Sequence, residues 1–167
     1  MSRKLQIVFL LLAAGACNGF VGEVHIDKPK RSPIRVIDPD YVILRPVSHA
    51  EQPGAISGTI YGRTIYYRPT DRIMDLRHFD LRTAKLEQSG PAEEYVVALH
   101  TTPQGNELLR SWTSRNIGKQ LGVFVGGRLI DAPRIKTPIT DMIVLEGSFS
   151  KSQAEDILAR LHRGGAA

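Results

Sequence analysis

The feature that most constrains the fold is a pair of short apolar runs joined by two glycines. Leu121 to Val125 and Arg128 to Ile130 flank Gly126-Gly127. The favoured two-residue hairpin turns need positive φ at their central residues, which glycine adopts without strain. Ala132-Pro133 ends the second run, because proline cannot donate to a strand ladder. The pattern predicts a tight β-hairpin that the rest of the C-terminal half covers.

Strand and helix patterns flank this hairpin. Thr102-Pro103 is typical of a helix start and Gly118 of its end, with Leu108, Leu109 and Trp112 on the apolar face. The predicted elements in chain order are a strand over Tyr95 to His100, that helix, the hairpin, a strand over Met142 to Gly147, and a helix capped by Ser150 and Gln153 and ended by Gly164. This order predicts an α+β fold, a mainly antiparallel sheet with two helices packed on one face as a two-layer sandwich.

Two earlier segments each fit more than one secondary structure. Ser57 to Arg68 alternates apolar and polar residues around Gly62, which predicts a strand or a short hairpin. Met74 to Glu87 fits both periodicities, and we interpret it as a strand entering the sheet, with a helix as the alternative.

The N-terminus has the layout of an export signal. A basic start and an apolar run too short to span a membrane lead to Ala14-Gly15-Ala16 and the chain's one cysteine, Cys17. The last residues before the cysteine resemble a lipobox, so we expect a lipoprotein-type signal peptide over 1–16 and lipid attachment, such as palmitate, at Cys17. Ordinary cleavage after Ala16 is the alternative. Asn18 is not the Asp associated with inner-membrane retention, which favours the periplasmic face of the outer membrane.

Half of the ten prolines fall between residues 29 and 53. Proline at this density disfavours helices and strand ladders, so we expect a Pro-rich extended tether over 17–55 and a domain over 56–167. Two apolar pieces, Ile34 to Ile37 and Tyr41 to Leu44, are alternatively edge strands of the domain.

Charge and motif content exclude several functions. The net charge of +5 falls to +3 without residues 1–16, which carry Arg3 and Lys4 and no acid. That is too little for a nucleic-acid footprint. The five histidines lack metal-ligand spacing and the serines lack a nucleophile elbow. We therefore expect no catalytic residue, no metal and no cofactor, and a chain that binds rather than reacts.

The second half resembles the head subdomain of the first periplasmic domain of SecD, a subunit of the bacterial preprotein translocase. The residues that carry the resemblance are Gly105, Leu109, Thr113, Asn116-Ile117-Gly118-Lys119, Gly126-Gly127, Ala132-Pro133, Pro138-Ile139 and Phe149-Ser150. The match is strong from Tyr95 to Ala167 and weak from Tyr66 to Glu87. Gly126 replaces the family's usual Asp, and the resemblance does not include the transmembrane helices that carry SecD's proton-coupled motion, so we expect that motor function is not carried over.

The resemblance implies a domain that binds polypeptide or an envelope protein partner, here in a stand-alone lipoprotein accessory to protein export. Exposed sheet edges or the loop from Ala132 to Ile139 would bind extended segments by strand addition. The candidate partner-binding residues are Trp112, Arg134 and Thr137. The alternative is a periplasmic binder of a small molecule or an envelope polymer, with a pocket between sheet and helices near Trp112.

Overall fold

The computed structural model describes residues 38–90 and 94–164. The predicted signal peptide, Cys17 and the tether up to residue 37 lie outside these ranges. In the described ranges, neither helix is both long and apolar enough to cross a membrane.

The described residues form nine strands and two α-helices. The strands are β1 (Val42–Val47), β2 (Ile56–Ile60), β3 (Arg63–Tyr67), β4 (Met74–Asp75), β5 (Lys85–Ser89), β6 (Glu94–His100), β7 (Gln120–Val125), β8 (Arg128–Asp131) and β9 (Met142–Phe149); the helices are α1 (Pro103–Ser114) and α2 (Lys151–Gly164). Short 3₁₀ helices cover Pro39–Tyr41, Leu76–His78 and Leu81–Thr83.

All strand pairs are antiparallel, and they form two sheets and a separate hairpin. One sheet has the order β4-β1-β7-β8, the second has the order β5-β6-β9, and β2 pairs with β3 alone. The predicted α+β class, antiparallel sheet and two helices are confirmed, with the strands divided between two sheets instead of joined in one. The predicted hairpin is β7–β8, with φ of 56° at Gly126 and 79° at Gly127.

The four-stranded sheet is buried on both faces. Val42, Leu44 and Val123 point into the main core, where they meet Leu109 of α1 and Leu161 of α2. The residues that alternate with these along each strand point to the other face of the sheet, as the two-residue period of a strand requires. There a second cluster of Ile43, Val47, Ile65 and Phe124 fills the space beneath the β2–β3 hairpin.

The structure corrects the predicted start of the domain at residue 56. Strand β1 lies inside the sheet between β4 and β7, although its residues were assigned to the tether or, alternatively, to an edge strand. Two prolines explain why the sequence did not predict this strand. Pro39 starts a 3₁₀ helix, where its missing N–H is tolerated, and Pro46 lies beyond the two residues that pair with β4, so only β7 pairs with it.

Two further segments differ from the sequence prediction. Met74 to Glu87 is a two-residue strand, two 3₁₀ helices and the start of β5 rather than one strand. In α1 the buried positions are Gly105, Leu109 and Thr113, spaced four apart, while Leu108 is 38% exposed. The helix ends at Ser114 and not at Gly118, because Asn116 and Lys119 close two further turns before β7.

Gly105 in α1 permits the close approach of the His78 backbone. His78 accepts hydrogen bonds at its carbonyl oxygen from the N–H and the hydroxyl of Thr102, the N-cap of α1. This brings the His78 carbonyl to 2.1 Å from the position that a Cβ on Gly105 would occupy. A side chain at position 105 therefore requires α1 to move away from the 3₁₀ helix.

We expect Gly105→Ala to lower the free energy of unfolding by about 2–3 kcal/mol, because overpacking against a fixed carbonyl cannot be relieved by a rotamer change. Chemical denaturation measures this. Gly58→Ala is the matched control: its new methyl would meet side-chain atoms at 3.5 and 3.6 Å, an ordinary contact, and its effect should stay within about 1 kcal/mol.

A buried carboxylate organises the segment between β4 and α1. Asp75 is 1% exposed and accepts bonds from Nε and Nη2 of Arg77 at 3.1 and 2.7 Å, and from the Arg77 N–H at 3.1 Å. Arg72 adds a contact at 3.3 Å. The Arg77 guanidinium is the main cause that lowers the pKa of Asp75 to about 2, against the opposing effect of burial.

We expect Asp75→Asn to lower the free energy of unfolding by about 2 kcal/mol at neutral pH. Because the folded pKa is depressed, this contribution is complete above the ordinary carboxyl pKa and is lost as the pH falls from about 4 to about 2. The wild-type stability should therefore approach that of the variant over this range. Asp71→Asn, which breaks a more exposed pair with Arg68, should cost less than about 1 kcal/mol.

Candidate functional site

A groove of about 670 Å³ lies where edge strands of the two sheets come together, and we call it the edge groove. Strands β8 and β9 are the facing edges of their sheets, and no strand ladder joins them in the described ranges. The hairpin tip Thr59 to Tyr61, the β7–β8 turn and one side of α2 complete the walls. Its lining residues are Tyr41, Thr59, Ile60, Tyr61, Val125, Gly126, Arg128, Leu129, Ile130, Gly147, Ser148, Phe149, Gln153, Asp156, Ile157 and Arg160.

Tyr61 lines both this groove and a smaller neighbouring cavity, and its backbone conformation is unfavourable. It is the first residue of the two-residue turn between Ile60 and Arg63, with φ of 48°, and its side chain is 72% exposed. Turns of this type prefer Asn, Asp or Gly at that position. An exposed aromatic ring there adds nothing to the core, so the turn presents Tyr61 to solvent at a cost in backbone energy.

A second strained residue lies on the opposite wall. Ser148 has φ of 48°, and Tyr61 and Ser148 are the two non-glycine residues with positive φ in the described part of the chain. Around Ser148 the β6–β9 register shifts, since Tyr95 pairs with Phe149 but Val97 pairs with Leu145. The extra residues form a bulge, which turns Phe149 back so that its ring would lie 2.6 Å from a Cβ on Gly147. Strain of this kind concentrates at binding sites.

The edge groove is mixed in charge. Arg128 and Arg160 line it together with Asp156. The Arg160 guanidinium stands 5.9 Å from the centre of the Tyr41 ring, and burial raises the pKa of Tyr41 above its usual value. The groove thus offers apolar surface, backbone edges and both signs of charge. Such a surface can contact a polypeptide that contains apolar and charged side chains.

The residues singled out from the sequence lie away from this groove. Trp112 is half-buried beside the main core, and it lines neither the edge groove nor a smaller cavity of about 340 Å³ near His49 and Arg63. Arg134 is exposed, and its Nη1 donates to the Gly118 carbonyl at 2.9 Å. Thr137 is exposed in the same loop. Cys17 lies outside the described residues.

The first part of the loop from Ala132 to Ile139 is not a free edge. The Leu121 N–H donates to Pro133, the Ile135 N–H donates to Lys119, and the Gly118 N–H donates to Ile135, all within 2.8–2.9 Å. Further along the loop, Pro138 has no N–H and the Ile139 N–H donates to the Thr113 hydroxyl at 3.0 Å, so the backbone open to a partner strand is that of Lys136 and Thr137.

Sequence reasoning missed Tyr61 and Ser148. A signal for the first was present, because a Tyr-Gly turn stands where a hairpin favours Asn-Gly. No local signal marked Ser148, since its conformation follows from the pairing of β9 with a distant strand. In residues 38–90 and 94–164, no group of three or more His, Cys, Asp or Glu side chains is placed to hold a metal ion.

Comparison with known proteins identifies the family. Residues 64–166 match the family described as SecDF, P1 head subdomain, which is more than half of the chain. The chain belongs to the SecDF P1 head family. Protein translocase subunit SecD of Koribacter versatilis is 33% identical over 87 residues, covering 51% of this chain and 16% of the relative. SecD of Dictyoglomus turgidum is 36% identical over 85 residues, covering 50% and 21%. This P1 head chain therefore matches only about a fifth of the length of these relatives.

Solved structures agree on the fold. SecDF in its super-membrane-facing form superposes with a TM-score of 0.57 at 24% identity, covering 74% of this chain and 18% of that one. A second structure, of a membrane component SecDF that enhances protein export, gives 0.56 at 24% identity, with 74% and 62% covered. At this identity the likeness establishes the P1 head fold alone. The predicted resemblance to the SecD head subdomain is confirmed.

We expect Ser148→Gly to raise the free energy of unfolding by about 1 kcal/mol, because glycine accepts positive φ without the Cβ clash. Thermal and denaturant unfolding measure this. Ser57→Gly, on exposed strand β2, should instead lower stability by about 0.5–1 kcal/mol, since glycine there only adds freedom to the unfolded chain. A higher free energy of unfolding in both variants would argue against local strain at Ser148.

Proposed function

We propose that this protein binds extended polypeptide in the edge groove as a non-catalytic accessory to protein export in the bacterial cell envelope. The observation that carries the proposal is the pair of facing edge strands, β8 and β9, in a groove that is also lined by the exposed side chain of Tyr61. Membership of the P1 head family supports the link to export.

Strand addition explains why the groove has this form. An edge strand offers N–H and C=O groups to an incoming segment whatever its sequence, which suits a protein that meets many different chains. Strand β8 has four residues, a length of about 13 Å at the usual rise per residue. A bound segment can therefore pair with about four residues of β8.

Side chains add a preference to this backbone recognition. Leu129 and Ile130 of β8, Phe149 of β9 and Ile157 of α2 supply apolar surface along the groove. Tyr61 supplies a rigid ring that buries a large area for little loss of side-chain freedom, as aromatic anchors do at interfaces. Segments with alternating apolar residues are the expected ligands.

The proposal includes a lipid anchor at Cys17 and a location on the periplasmic face of the membrane, outer rather than inner. It rests on the sequence pattern around the single cysteine. Inhibition of the lipoprotein signal peptidase in growing cells should cause the unprocessed form to accumulate. A chain processed normally under that inhibitor would instead be cleaved by the ordinary signal peptidase.

A second candidate is the binding of a small molecule or an envelope polymer. The smaller cavity favours it, since its volume of about 340 Å³ falls in the range of ligand sites and His49, Arg63 and Gln120 give it a polar lining. Such a ligand would protect His49 from chemical modification, whereas polypeptide in the edge groove would not.

Photocrosslinking in cells tests the proposed surface. A benzophenone side chain in place of Tyr61 should form adducts with secreted polypeptides, because position 61 lines the groove. The same group in place of Arg134 or Thr137 tests the loop predicted from the sequence. Adducts from the loop alone would move the site to that loop, and no polypeptide adduct from any position would contradict the proposal.

A binding assay measures how much Tyr61 contributes to the affinity for polypeptide. We expect Tyr61→Ala to weaken binding of a labelled unfolded polypeptide by about tenfold or more, as loss of an aromatic anchor does. Ile56→Ala is the matched control, because Ile56 is 49% exposed on the same hairpin and does not line the edge groove. Its affinity should stay within about twofold, and equal losses from both variants would point to general hydrophobic adsorption.

A further inference from the structure

The net positive charge of the described domain depends on four cations that lie on two neighbouring segments. The described residues carry 16 Lys and Arg and 14 Asp and Glu. Four of these cations, Arg115, Lys119, Arg134 and Lys136, lie on the turn that follows α1 and on the loop beside it. We call residues 115–119 and 134–136 the basic turn. Without its four cations, the described domain has 12 basic and 14 acidic residues.

Backbone hydrogen bonds hold the two pieces of the basic turn together. The Ile135 N–H donates to the Lys119 carbonyl and the Gly118 N–H donates to the Ile135 carbonyl, both at 2.8 Å. The Arg134 guanidinium adds a bond to the Gly118 carbonyl at 2.9 Å. The four cations thus stand on neighbouring backbone segments at one surface, and all four side chains are exposed.

The sequence on either side of these cations contains no acidic residue apart from Asp131. No Asp or Glu occurs in 108–130 or in 132–140. The intervening Asp131 is partly buried and accepts a bond from the Ala132 N–H at 2.7 Å. The negative end of the α1 dipole accounts for a cation such as Arg115 at the helix terminus. It does not account for Arg134 and Lys136, which belong to a different segment.

An exposed aliphatic side chain lies in the middle of these charges. Ile117 is 48% exposed at the centre of the turn, two residues from Arg115 and two from Lys119. It projects from a turn and not from the floor of a groove. An apolar tip flanked by long cationic side chains is the arrangement that enters the interface of an anionic bilayer, where the cations stay at the headgroups.

We propose that the basic turn docks on the surface of an anionic phospholipid bilayer, with Ile117 inserted between headgroups. Charge complementarity selects this partner: the four cations meet lipid phosphates, and the acidic remainder of the domain is repelled from the same surface. The proposal is independent of the edge groove, because none of the basic-turn residues lines it. It is also independent of an anchor at Cys17.

Vesicle sedimentation of the full chain tests this, with phosphatidylglycerol vesicles compared with phosphatidylcholine vesicles. Arg115→Gln combined with Lys136→Gln should lower the preference for phosphatidylglycerol by about tenfold or more, from the usual attraction per surface cation. In the described ranges neither side chain has a hydrogen bond or an ion pair within the protein, so folding should be unaffected. Thermal unfolding of the variants verifies that.

The matched control is Lys85→Gln combined with Arg163→Gln, which removes the same charge from exposed positions elsewhere. It should change the preference by no more than about twofold, because surface charges beyond a Debye length contribute little. Ile117→Ser should weaken binding to phosphatidylglycerol several-fold without changing the charge. The N-terminal residues are identical in all these proteins, so their own affinity for vesicles cancels.

Three results would overturn the proposal. The first is an equal loss in both double variants, which would mean that net charge alone decides the binding. The second is no preference for phosphatidylglycerol in the wild type. The third is binding of soluble polyglutamate without binding of vesicles, which would assign the basic turn to an acidic protein.

Discussion

The pairing of β1 with β7 is the contact on which the rest of the structure depends. These two strands form the middle of the four-stranded sheet and are joined over six residue pairs, from Val42 with Val125 to Val47 with Gln120. Their alternate side chains fill the main core on one face and the smaller core under the β2–β3 hairpin on the other. Each layer of the domain is therefore held by the same two strands, and loss of either strand would expose both cores.

This dependence explains what the sequence could and could not predict. The β7–β8 hairpin, β6, β9 and both helices were predictable, because turn glycines, helix caps and apolar runs are local signals. Strand β1 was not, since two prolines in and near it match the composition of a tether and its partner lies about 80 residues away in the chain. The irregular path from Met74 to Lys85 could not be predicted either, because its sequence fits both the strand and the helix periodicity whereas the buried carboxylate of Asp75 sets its shape.

At the candidate site, too, some features have a local sequence signal and others do not. Family residues such as Gly105 and Thr113 have structural explanations: one permits the approach of His78, and the other donates to Leu109 and accepts from the Ile139 N–H. The edge groove instead arises where two sheets end without joining, a property of topology that no short motif encodes. Its two strained residues, Tyr61 and Ser148, lie on walls contributed by distant parts of the sequence. The family residues Gly105 and Thr113 therefore maintain the fold, and the proposed binding surface depends mainly on other residues.

The position of Tyr41 next to α2 has a mechanical consequence. The described chain enters at Asp38, three residues before Tyr41, and leaves at Gly164, four residues after Arg160, whose guanidinium lies over the Tyr41 ring. Entry and exit are thus adjacent at one pole of the domain. A domain held through either of these ends can turn as a rigid body about that pole without any strand of its sheets being pulled apart.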